Sequence, residues 1–157
     1  MSIESVRAFL AQHAPDVVVI DLDRPSETSW LSAALRVEPA QIAKSLVLAV
    51  ADRQHVIVMA CGDARVDNTK AKVVFGGRAR FVAAEEAAVL TGHVPGGMCP
   101  FGLISSLPIY CDLQLKRFDV VVTGGGATHS AVIIDPLRMA AITGAEWVDV
   151  CDQRVRG

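Results

Sequence analysis

The sequence predicts a single α+β domain built on a mixed β-sheet, and three observations lead there. Apolar runs of strand length alternate with short helical patterns along the whole chain. Several strand candidates follow one another directly, without the intervening helix that a doubly wound α/β fold requires. The glycine run Gly124-Gly125-Gly126 has neither the spacing nor the strand-to-helix setting of a dinucleotide fingerprint. No internal repeat or linker interrupts residues 1–157, so one domain is expected throughout.

Ile3, Val6, Phe9 and Leu10 recur at helical spacing, and Pro15 ends that helix. Val17 to Leu22 reads as a strand. Trp30, Leu31, Ala34 and Leu35 mark a second short helix, capped by Ser26 or Thr28. Pro39 opens a helical turn completed by Gln41 to Ala43. The runs Ser45 to Val50 and Val56 to Cys61, separated by the polar Asp52-Arg53-Gln54, predict a hairpin of buried strands covered on both faces.

Asp67 caps a helix through Phe75 that stops at Gly76-Gly77. Arg78 to Val82 is a short strand, and Ala84 to Thr91 a helix closed by Gly92. Ile104 to Cys111 is extended, with Pro108 placing it at a sheet edge or bulge. Asp119 to Thr123 and Ala131 to Ile134 are strands joined by a flexible loop. Asp135-Pro136 starts a helix that Gly144 stops, Trp147 to Val150 adds a last strand, and Asp152 to Gly157 frays.

Composition narrows the function. Apolar residues make up 52% of the chain, which opposes disorder. No apolar run approaches the roughly 20 residues of a bilayer span, and a cytoplasmic location is expected. The net charge of −2 argues against a protein that coats long nucleic acids. Charge is nevertheless uneven: Asp63 to Arg80 carries a local +3 from Arg65, Lys70, Lys72, Arg78 and Arg80, leaving −5 elsewhere. Such a patch is either a solvated helix face or a landing site for a short phosphate segment. The four cysteines show no Cys-x-x-Cys pair and no histidine spacing that suggests zinc.

The most unusual stretch is Gly92 to Leu103, with four glycines and two prolines in twelve residues. It is either a long structural turn or a shaped loop whose main-chain N–H groups hold an oxyanion. Cys99 within it is a possible nucleophile, although no partner motif accompanies it. Lys44 stands where a helical turn meets a buried strand, so it is either a residue whose stem packs while its ammonium faces a cleft or a snorkelling lysine at a strand end. His129, after three glycines, is either a ligand contact or a surface histidine. No nucleophile elbow and no Walker loop is present.

Taken in order, several segments resemble the YbaK/EbsC-like aminoacyl-tRNA deacylases associated with prolyl-tRNA synthetase. These are Ala43-Lys44-Ser45-Leu46-Val47, Gly62 to Asp67 followed by Lys70, the Gly-x-x-x-Pro loop with Gly96 and Pro100 at its fixed places, and Gly124 to Ser130. The likeness spans roughly residues 26 to 143. It implies an α+β domain with a partly barrel-like sheet, and hydrolysis of the ester of a mischarged tRNA without metal or other cofactor.

It further implies catalytic roles for Lys44 and for the backbone at Gly96 and Gly97. Substrate contacts would come from Ser45, Met98, Cys99, Pro100, Phe101, Gly102, Thr28 and His129. Arg65, Lys70 and Lys72 would receive the acceptor stem. The expected partners are the 3′ aminoacyl end of tRNA and an aminoacyl-tRNA synthetase, with no membrane. A small or medium amino acid is the expected substrate, and the alternative is a non-catalytic module that binds a tRNA end or a synthetase.

Overall fold

The hairpin at residues 44–60 is the spine of the molecule. A computed structural model describes residues 2–51 and 54–152. Strand β2 (Lys44–Val50) runs antiparallel to β3 (Gln54–Ala60), with Lys44 opposite Ala60 and Val50 opposite Gln54. Val56 to Ala60 are all buried, as the continuous apolar run requires when both faces of a strand are covered. The expected turn residues Asp52 and Arg53, and residues 153–157 of the end expected to fray, lie outside the described residues; Asp152, the first residue of that end, is instead strand-paired opposite Arg65.

Around this hairpin a five-stranded mixed sheet forms. β5 (Arg80–Phe81) pairs antiparallel with β2; β6 (Ile109–Asp112) pairs parallel with β3; β9 (Glu146–Val148) pairs parallel with β6. A second sheet is antiparallel, in the order β1 (Val19–Asp21), β8 (Ser130–Ile134), β7 (Val121–Thr123). The two pack into one core and are also linked through the backbone just before β2. Ile42 bridges Val122 in parallel, and the Ala43 N–H donates to Val122 O at 2.8 Å. Among the described residues the sheets do not close into a barrel. That junction immediately precedes Lys44, so the chain enters β2 from a fixed point.

Helices α1 (Ser2–His13), α2 (Thr28–Leu35), α3 (Asn68–Phe75), α4 (Ala84–Thr91) and α5 (Pro136–Thr143) flank the sheets. The expected caps hold for α3 and α5: Asp67 accepts from Lys70 N at 3.0 Å and Asp135 from Leu137 N at 2.8 Å. The expected cap of α2 does not. Glu27 occupies the N-cap position, and Ser26 turns away to donate to Gly96 O at 3.0 Å. Pro108 also differs from expectation. β6 begins just after it and lies inside the sheet, between β3 and β9, while Pro108 O accepts from Ile57 N at 2.9 Å. A proline costs no ladder bond when the strand starts behind it.

Two features were not foreseen. β4 (Arg65–Val66) pairs with β10 (Cys151–Asp152), and a 3-10 turn spans Leu113–Arg117. Asp112 ties these pieces together. One carboxylate oxygen accepts from Val150 N and Cys151 N, both at 3.0 Å, and the other from Gln114 N at 3.1 Å. A fully buried carboxylate is tolerable only when hydrogen bonds replace its hydration in this way.

Candidate active site

Lys44 is the first residue of β2 and is half-buried. Its Nζ donates to Ala64 O, on the turn that leads from β3 to β4. An ammonium carries three N–H donors, so one bond orients the group and two remain for a ligand.

Opposite stands the glycine–proline loop. Val94-Pro95-Gly96-Gly97 forms a four-residue turn closed by Gly97 N–H donating to Val94 O at 3.0 Å. Proline second and a glycine at φ +87° third make it a type II turn, in which the third residue must be left-handed. The turn then lies against the second glycine loop. Gly126 N–H donates to Gly97 O at 2.9 Å, and a Cβ on Gly97 would stand 2.7 Å from Ala127 N. Only bare backbones approach this closely. Ser26 holds Gly96 O, and the Ser45 hydroxyl reaches Met98 O at 3.4 Å and Met59 Sδ at 3.2 Å.

Between Lys44 and this loop lies a cavity of about 180 Å³. Its polar wall is Lys44, Ser45, Thr28 and Ser26; its apolar wall is Leu31, Ile42 and Met98; Gly96 and Gly124 line the loop side. Cavities of about 360 and 270 Å³ lie elsewhere, on either side of β1. They are larger, but neither contains Lys44 or the loop, so volume does not select the site.

The structure thus brings together Lys44, Ser45, Thr28, Gly96 and Met98. It separates others from them. The Gly97 N–H is committed to the turn, so Gly97 shapes the loop instead of offering a donor. Cys99 and Phe101 are fully buried behind the loop, and Pro100 is buried beside them. Phe101 packs its ring 5.9 Å from that of Phe9 on α1. Gly102 lies against the Ser5 backbone, also away from the cavity.

Cys99 sits 3.6 Å from His93 Nε2, and burial pushes its thiol up to about 12, so no thiolate forms at neutral pH. His93 is itself buried and donates from Nε2 to Phe101 O at 2.6 Å; burial holds its imidazole below the ordinary histidine range. His129 is exposed and bonds its neighbour Thr128 at 3.0 Å through Nδ1.

The three expected acceptor-stem contacts also lie off the cavity wall. Arg65 on β4 and Lys72 on α3 are exposed. Lys70 is engaged, with Nζ 3.0 Å from Asp149 and 3.1 Å from Cys151 O. Conversely Ser26, Leu31, Ile42 and Gly124 were not singled out as lining residues. Their only signals were a polar turn, two apolar periodicities and a glycine run, none of which says what they face.

A family model for the aminoacyl-tRNA editing domain matches residues 26–142, which contains every residue of this cavity. The chain belongs to the aminoacyl-tRNA editing domain family. Among its relatives, this editing-domain chain is 35% identical over 153 residues to an uncharacterized protein, YwhH, of Bacillus subtilis strain 168, covering 96% of the chain and 98% of that protein. It is 30% identical over 117 residues to the proline–tRNA ligase of Bacillus licheniformis, covering 74% of the chain but only 19% of the ligase. A crystal structure of a candidate trans-editing enzyme for prolyl tRNA synthetase superposes with a TM-score of 0.88 at 28% identity, covering 97% of this chain and 98% of that one. Among the described residues no helix is long and apolar enough to cross a membrane.

Proposed function

We propose that the chain is a trans-editing deacylase that hydrolyses the ester of a mischarged tRNA carrying a small amino acid. The observation that carries this reading is the cavity itself, which sets the Lys44 ammonium across from the Gly96–Met98 loop. At about 180 Å³ it is smaller than the roughly 300–1,000 Å³ of pockets that take drug-sized ligands. Its size and its Leu31, Ile42 and Met98 wall suit a short aliphatic aminoacyl group.

In this reading the aminoacyl carbonyl lies at the loop. Water attacks the carbonyl carbon, the bond to the ribose oxygen breaks, and the proton passes to the departing hydroxyl. Lys44 balances the negative charge that develops, and does so from a half-buried position where charge is weakly screened. Its bond to Ala64 O fixes the ammonium in advance, so little reorganisation is needed. The Ser45 hydroxyl, held by the weak acceptor Met59 Sδ and a long contact to Met98 O, can turn to a substrate oxygen. The cavity wall offers hydroxyls but no carboxylate or imidazole. A neighbouring substrate hydroxyl is therefore the proton relay in this account.

The same lack of a base on the wall favours a second reading, a module that binds the charged tRNA end without turnover. A panel of mischarged tRNAs separates the two. A deacylase accelerates release of at least one small amino acid above the spontaneous rate and loses this in Lys44→Ala; a binding module accelerates none.

A further inference from the structure

Beside the Lys44 cavity lies a second one of about 280 Å³, between β5, α4 and the loop. The two share a rim made of Ser45, Gly96 and Met98. We propose that this second cavity is a slot for the terminal purine base of the RNA strand, with Phe81 as its stacking platform. The inference rests on the deacylase reading for the position of the ester and extends it to the other half of the substrate.

An aminoacyl ester has two arms, the acyl group and the nucleoside, which meet at one carbon–oxygen bond. Two cavities meeting at one rim match that shape, with the ester at Ser45 and Gly96. The Lys44 cavity is too small to hold both arms, while the second is larger and predominantly apolar, lined among others by Leu46, Val47, Val82 and Ala87. Phe81 borders it and is 63% exposed, although large aromatic side chains are usually well covered. An exposed ring at the edge of an apolar slot is what base stacking uses, because every base has a flat face.

The sheet opens the slot. β5 pairs with β2 only at Leu48 and Ala49, with one more bond from Val82 N to Val47 O. The chain then departs into α4, leaving Ser45 and Leu46 without a strand partner on that side. Backbone groups alternate sides along a strand, and Val47 O faces β5, so the Ser45 N–H and C=O face this open edge while those of Leu46 face β3; the Ser45 groups can serve the edge of a base as they would a neighbouring strand. Arg80, adjacent to Phe81, is exposed and lies in the basic stretch.

The test uses adenosine 5′-monophosphate as probe, followed by methyl NMR on the intact protein, together with tRNA kinetics. The expected result is that the nucleotide shifts the methyls of Leu46, Val82 and Ala87, and that Phe81→Leu weakens its binding at least about fivefold. In deacylation, Phe81→Leu should raise KM for a mischarged tRNA by a similar factor with kcat largely retained. Because Phe81 is mostly exposed, the variant should remain folded, which circular dichroism checks. Shifts confined to the Arg65–Lys72 region, or nucleotide binding indifferent to Phe81→Leu, would overturn the slot. Absence of deacylation on every tRNA would instead sink the deacylase reading, and the nucleotide titration would still decide the slot.

Discussion

Met98 shows how one residue can set selectivity. Its side chain borders both cavities, and its sulfur accepts from Thr91 Oγ1 at 3.1 Å. Shortening it would enlarge the acyl pocket. A pocket distinguishes substrates by about 1–3 kcal/mol per methylene, so Met98→Ala is expected to move relative deacylation rates toward a larger side chain by about tenfold or more, read by competing two mischarged tRNAs. Of the residues that line this candidate cavity, Lys44, Ser45, Gly96 and Met98 could be picked out in the sequence because each belongs to a short ordered motif, whereas Thr28 stands outside those motifs. Cys99, Phe101 and Gly102 carry the same motif but face the core. A continuous loop of glycine and proline turns several times, and sequence order does not say which turns point inward. Ser26 was illegible as a lining residue, and Gly124 legible only as part of a glycine-rich segment, because each joins the site by a contact with a distant part of the chain: Ser26 with Gly96, 70 positions away, and Gly124 with Met98.

At the scale of elements, the site depends on two loops fitted backbone to backbone. Gly97 lies against Gly126 and Ala127, and Gly124 against Met98 O. Adding one methyl at Gly97 would force them apart, and such overpacking costs about 1–3 kcal/mol. Gly97→Ala should therefore lower the thermal midpoint and reduce deacylation together, whereas a substitution at exposed Lys72 should do neither. Most elements were legible: helices from caps such as Asp67 and Asp135, and the β2–β3 hairpin from its apolar runs. β4 and β10 were not, because two-residue strands have no periodicity to detect; they exist through pairing with each other and through the buried Asp112 carboxylate.

At the scale of the molecule, one exposed ion pair ties together parts of the chain far apart in sequence. The loop after α1 is joined to α5 by a two-pronged pair between Asp16 and Arg138. The guanidinium holds the Asp16 carboxyl at about 2, below its ordinary 3.8. The pair's contribution is thus complete above about pH 4 and lost as pH falls through about 2, since the unfolded chain takes up the proton first. Arg138→Gln should return the Asp16 titration toward 3.8, measured by carboxyl carbon NMR. Deacylation near neutral pH should not change, because the pair does not touch the Lys44 cavity. The mixed α+β architecture was legible from strand order, but the Ile42–Val122 bridge that joins the sheets and aims Lys44 was not, since a single contact leaves no pattern.

The most direct measurement is the rate of amino acid release from a panel of mischarged tRNAs, with wild-type protein and Lys44→Ala compared at neutral pH. The account predicts that at least one tRNA bearing a small amino acid is deacylated well above its spontaneous rate, and that Lys44→Ala loses about a hundredfold or more of that activity. A folded Lys44→Ala protein as active as wild type, or a wild-type protein that releases no amino acid faster than buffer, would contradict it.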